Sequence, residues 1–145
     1  MNCSLSFTYE FNRDGDDFGW LRAHLHTPEF SGRNGMWVQW QDVVDFAATL
    51  GRFPLTVADP VACDWGFGEK GRYTAITRLS IAPTGASGAV VAEVALANYY
   101  APENSCRVRF DTDYPSLIRF QHEIEAMMRR DIPTATLMGS STDNR

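Results

Sequence analysis

At 145 residues, with 44% apolar and 21% charged side chains, the chain has the balance of one globular domain and enough length to bury a core without a metal or disulfide staple. Its formal charge of −5 argues against nucleic acid as a partner, since phosphate backbones recruit basic surfaces, and leaves a basic protein partner open. Cys3, Cys63 and Cys106 are too widely spaced for a disulfide framework or zinc knuckle, and neither a leader peptide nor a membrane-length apolar run is evident, so a cytoplasmic protein is expected.

In chain order, Leu5, Phe7, Tyr9 and Phe11 alternate with polar residues, which predicts a strand over 4–11 with one apolar face. The Asp-Gly in 12–17 predicts a hairpin turn, and a second strand follows over 20–27. In that strand Leu21, Ala23 and Leu25 share one face, and Trp20, Arg22, His24 and His26 share the other. Ser31 to Gly35 reads as a turn and Met36 to Trp40 as a short aromatic strand. Val43, Phe46, Ala47 and Leu50 then form the apolar stripe of a helix of about three turns, with Asp42 favoured in its first turn. Gly51 suits a left-handed helix cap, and Pro54 forbids continuation.

Residues 61–67 can form a strand, and Gly66, Gly68 and Gly71 mark a hairpin after it. Three further strands are expected over 73–82, 89–100 and 105–111, separated by a turn at Pro83 to Gly88 and another around Pro102. In the first of these, Tyr73, Ala75, Leu79 and Ile81 fall on one parity. Asp113, followed by an early proline, opens a second helix whose buried stripe is Leu117, Phe120, Ile124 and Met127. After Ile132 the chain loses its pattern. A single α+β domain is therefore expected over 1–132, with 133–145 a polar C-terminal tail that frays. The fold class implied is a curved antiparallel sheet or sandwich of six to eight strands with two helices packed against it.

No catalytic constellation stands out. His24 and His26 point to one strand face with Glu29 close behind, a start toward a metal site in a barrel-like protein, but three or four ligands must converge and no further histidine pairs with them. Cys63 has no histidine placed to activate it, so it reads as a core thiol. Gly66 to Gly71 lacks the strand-to-helix setting of a nucleotide loop, and Asp14, Asp16 and Asp17 lack the length of a calcium loop. The tryptophans and tyrosines are more informative. Tyr99 and Tyr100 are adjacent on a strand and differ in parity, so exposed aromatic surface is expected, with Trp20, Trp40, Trp65 and Tyr100 as candidate partner-binding residues.

Two N-terminal strands, Phe30-Ser31-Gly32, an aromatic strand, a helix reading Asp42-Val-Val-Asp-Phe46 with Leu50, a Gly88-x-Val90 strand, a Val108-Arg-Phe110 strand and a last helix with Leu117-x-x-Phe120 form an arrangement over Leu5 to Met128. That arrangement resembles WapI-like immunity proteins and related bacterial domains. The resemblance implies a non-enzymatic, cytoplasmic protein without cofactor that neutralises a polymorphic toxin, often a nuclease, by direct binding. It carries over no catalytic residue, and it implies a cognate toxin domain as partner; the acidic charge and the lack of a membrane-length run add the expectation of no nucleic acid and no membrane.

Overall fold

A computed structural model of the chain describes residues 1–85 and 89–141. Eight strands and two helices follow in the order β1 (Cys3–Phe11), β2 (Phe18–His26), β3 (Ser31–Gln39), α1 (Trp40–Thr49), β4 (Val61–Glu69), β5 (Arg72–Pro83), β6 (Val90–Ala97), β7 (Ser105–Thr112), α2 (Tyr114–Met128) and β8 (Ala135–Gly139). They build two four-stranded antiparallel sheets, β3-β2-β1-β8 and β4-β5-β6-β7, with both helices packed against them. This is the α+β class that the period-two and period-3.6 patterns predict.

The inner face of the first sheet carries Leu5, Phe7, Leu21, Ala23, Leu25, Met36 and Val38, all buried. From the second sheet come Val61, Leu79, Ile81, Val94 and Phe110, and one continuous core joins them to the helix stripes. Phe7 lies 5.6 Å from Phe120 of α2 and 6.2 Å from Trp65 of β4, and Phe46 of α1 stands edge-on to both Trp65 and Phe120. Such tilted and edge-on pairs put the positive ring edge against a negative ring face. Asp113 caps α2, its carboxylate accepting the Ser116 N–H at 2.8 Å, as its sequence position predicts.

Four expectations need correction. Ser31 to Gly35 is not a turn: β3 runs through it and pairs with β2 from His26↔Ser31 to Phe18↔Gln39. Its two glycines have a packing reason instead. A Cβ at Gly35 would fall inside the Trp20 indole, and one at Gly32 would crowd Cys106 of β7. Gly51 does not adopt a left-handed cap; α1 ends on right-handed Leu50, whose N–H donates to the Ala47 carbonyl at 3.1 Å, and the same carbonyl also accepts from Gln121 Nε2 of α2 at 2.9 Å. The parity of Tyr73 is broken by a bulge, since Trp65 opposes Thr77 whereas Gly66 opposes Ala75, leaving Ile76 unpaired. Ile76 and Thr77 are consequently both buried, and Tyr73 is exposed, its hydroxyl donating to the Asp64 carboxylate at 2.8 Å.

The fourth correction is the tail. Residues 135–139 form β8, which pairs with β1 from Cys3↔Gly139 to Phe7↔Ala135 and buries Ala135 and Leu137 completely. Positions 86–88 of the predicted Pro83 to Gly88 turn, and 142–145 of the tail, lie outside the described residues. The β4–β5 hairpin closes on Lys70 and Gly71, both at positive φ (53° and 78°), the conformation a two-residue turn between twisted strands demands.

Candidate functional site

The outer face of the first sheet is left uncovered by the helices, and the strand register orders its side chains in rows. At one end Phe18 opposes Gln39. The next row is Trp37, Trp20 and Glu10, followed by Gly35, Arg22 and Thr8, then Arg33, His24, Ser6 and Thr136. The aromatic row is built locally. Gly35 has no side chain, so the Trp20 indole lies across β3, and Trp37 meets it edge-on at 5.1 Å. Tyr99, beyond the end of β6, meets Trp20 at 5.8 Å and Phe67 at 5.2 Å, and so carries Tyr100 to the rim of the same face. Tyr100 is 80% exposed and Trp37 43%.

Two adjoining hollows share Trp20 and Arg22. One, of about 440 Å³, is framed by Phe11, Arg13, Trp37 and Tyr100; the other, of about 650 Å³, by His24, Arg33, Gly35 and Thr134. Arg13, Arg22 and Arg33 form no ion pair among the described residues, whereas Arg52, Arg78, Arg107, Arg119 and Arg129 each have a carboxylate partner. Arg130 lies 4.3 Å from the centre of the Phe11 ring, adding a fourth cation at the edge.

Next to this face, around the end of the sheet, the charge reverses. The β1–β2 turn holds Asp14, Asp16 and Asp17, and α1 begins beside it, the Trp40 N–H donating to the Asp17 carbonyl at 2.9 Å. That bond satisfies one of the amides a helix start leaves free, where no side-chain cap is present. Asp42 lies in the first turn of α1 and Asp45 one residue past Val44. Phe18, Trp40 and Val44 are exposed among these carboxylates.

Tyr9 reports the convergence. Its hydroxyl donates to the Val38 carbonyl at 2.9 Å, and burial, reinforced by the charges of Asp16, Asp17 and Asp42, pushes its pKa up to about 12. A phenol that holds its proton more tightly folded than unfolded contributes full stability below pH ~10 and loses it as pH rises from there towards its folded value. Tyr73 is raised in the same direction by the partial burial of its hydroxyl and its hydrogen bond to Asp64, but the residue is largely exposed, so its share of that pH dependence is small. Melting temperature is expected to fall between about pH 10 and 12, and less steeply in Tyr9→Phe. An unchanged slope in that variant would remove Tyr9 as a contributor.

Of the sequence-predicted binding residues, Trp20 and Tyr100 come together at the aromatic row, and Trp40 stands at the acidic end. Trp65 is apart from them, packed between Phe7 and Phe46 against the core. His24 and His26 point outward from β2, with His24 beside Arg33 and Ser6, and Glu29 is exposed beyond the strand end. No group of three histidine, cysteine or carboxylate side chains converges as metal ligands among the described residues, so the geometry lends the metal-binding alternative no support. Burial pushes the Cys63 thiol far up, as suits a core thiol. No helix among the described residues is long and apolar enough to cross a membrane.

Sequence reasoning does not place Arg33 or Phe18 on the surface, and it leaves open which of Trp37 and Trp40 is exposed; both are. The alternation in β2 marks the Trp20, Arg22, His24 face, but reading 31–35 as a turn hides Arg33, which pairs with His24. In comparisons with known proteins, the chain matches no family model, no curated protein and no solved structure.

Proposed function

We propose that the protein is a non-enzymatic binding domain that docks a basic protein surface through the acidic end of its first sheet, in the manner of an immunity protein neutralising a toxin domain such as a nuclease. The observation that carries this reading is the exposure of Phe18, Trp40 and Val44 among Asp14, Asp16, Asp17, Asp42 and Asp45. Interfaces concentrate their binding energy in a few aromatic anchors, and an acidic rim steers a basic partner into register. The sequence resemblance to WapI-like immunity proteins points the same way.

The test is co-expression with the product of the neighbouring gene, scoring both complex formation and protection of growth. Binding and protection are expected. Trp40→Ala should weaken the complex by about 2 kcal/mol or more, roughly thirty-fold in Kd. Asp16→Lys with Asp17→Lys should slow association most at low salt. If the neighbouring product neither binds nor poisons cells, or if these variants bind like the parent, the reading fails.

A further inference from the structure

We infer that the outer face of the first sheet is a binding groove for a short single-stranded nucleic acid segment, a site distinct from the acidic end that the functional reading uses. The net charge of −5 speaks against nucleic acid for the chain as a whole. Binding is governed by the local charge, however, and among the residues lining the hollows of this face arginines outnumber carboxylates. Arg13, Arg22 and Arg33 line the two hollows, with Glu10 the carboxylate that faces them. None of the three is held in an ion pair among the described residues, so their guanidinium donors are available to a ligand.

The aromatic row supplies what a phosphate patch lacks. Trp20 lies along the sheet over Gly35, with Trp37 standing across it and Tyr100 on the rim. A half-open hollow with such walls accepts a planar base, and stacking on aromatic side chains is tolerant of base identity. From the aromatic row the groove runs along β2 past Arg22 to His24, about 6.8 Å further along the strand, where Arg33 of β3 stands opposite, so the two rows beyond the tryptophans each carry one arginine. A strand with one base on the aromatic row would lay its backbone over those two rows. A duplex cannot use the site, because its bases are already stacked on one another. An acidic polypeptide without aromatic side chains could satisfy the arginines but would leave the aromatic hollow unfilled.

Fluorescence anisotropy of a labelled single-stranded deoxythymidine decamer, titrated with the full chain over a range of salt, tests the assignment. Binding is expected at low salt, with a logarithmic salt slope of about −2 for three phosphate contacts on a single strand. Tyr100→Ala and Trp37→Ala, both at exposed positions, should each weaken it by about 5- to 150-fold, the range of one lost stacking contact. Arg22→Ala combined with Arg33→Ala should bring the slope to about −0.7. Thermal melts of each variant separate lost binding from lost folding, and Tyr100→Ala keeps the test intact if a sheet variant melts early. The inference is overturned if the decamer does not bind, or if the variants bind like the parent. It is equally overturned if an unlabelled polyglutamate peptide displaces the decamer at equal concentration, which would assign the face to an acidic polypeptide. None of these results bears on capture of a basic protein at the acidic end.

Discussion

Removal of residues 134–145 is expected to abolish the cooperative thermal transition of the domain, and Leu137→Ala alone to cost about 2–5 kcal/mol, the range for truncating a fully buried leucine. The reason is the position of β8. It fills the edge of the first sheet beside β1, and Ala135 and Leu137 close the core beneath it. Its other edge is bound as well. The Glu123 carboxylate of α2 accepts the Thr136 N–H at 2.8 Å, and the Thr112 hydroxyl of β7 donates to the Met138 carbonyl at 2.8 Å. Asp111 and Ser140 then exchange backbone hydrogen bonds of 2.9 and 2.8 Å, joining the two sheets. Losing the strand opens the core and strips partners from β1, β7 and α2 together, a sum comparable with the 5–15 kcal/mol by which domains are stable. Urea denaturation followed by far-ultraviolet circular dichroism measures it. A truncated chain melting at the parental midpoint would show that β8 is dispensable.

That strand is also where the sequence is least legible. Ala135, Thr136, Leu137, Met138 and Gly139 alternate, but over five residues after a proline and before a polar end, too short a run to outweigh the look of a tail. What makes it a strand is tertiary: an open edge on β1 and a carboxylate waiting on α2. Ser31 to Gly35 fails for a related reason. Ser, Gly, Arg, Asn and Gly have turn chemistry, yet pairing with β2 and the space taken by Trp20 and Cys106 decide the outcome. The long periodic elements were readable because their pattern is the cause of their burial, as in Leu5 and Phe7 of β1 or Leu117, Phe120 and Ile124 of α2. The candidate surfaces were readable in part. Trp20 and Arg22 declare an exposed face by parity, but only the register that brings Trp37 and Arg33 beside them makes it a groove.

Asn34→Asp, an isosteric exchange at the half-buried junction of the sheets, is expected to destabilise the domain by about 3 kcal/mol at neutral pH, the cost of turning a donor into a charged acceptor against other acceptors. Asn34 projects from β3 toward the second sheet. Its amide nitrogen lies 3.2 Å from the Ile76 carbonyl, 3.0 Å from the Thr77 hydroxyl oxygen and 3.0 Å from the Ala97 carbonyl. These carbonyls need an outside donor. The bulge takes Ile76 out of the β4 ladder, and the β5–β6 pairing begins at Thr77↔Leu96, so neither Ile76 nor Ala97 has a partner across that ladder. One side chain thus satisfies an acceptor freed by the bulge and another at the end of the β5–β6 ladder, while its own buried Oδ1 has no hydrogen-bond partner among the described residues. Aspartate would place a carboxylate oxygen where the donor stands, facing two carbonyl oxygens. The charged form is then disfavoured by the fold, which raises the folded pKa above the ordinary carboxyl value of about 3.9. A raised acid pKa contributes least harm below the unfolded value and most above the folded one, so the variant should lose stability as pH rises from about 4 and regain part of it on acidification, when the neutral carboxyl can donate once. Asn34→Leu, which carries no charge, should show no such pH dependence, because only the stranded acceptors remain, at about 1–3 kcal/mol each. Equal losses for both variants at pH 4 and pH 7 would mean that the amide fills space and does not bind the two sheets.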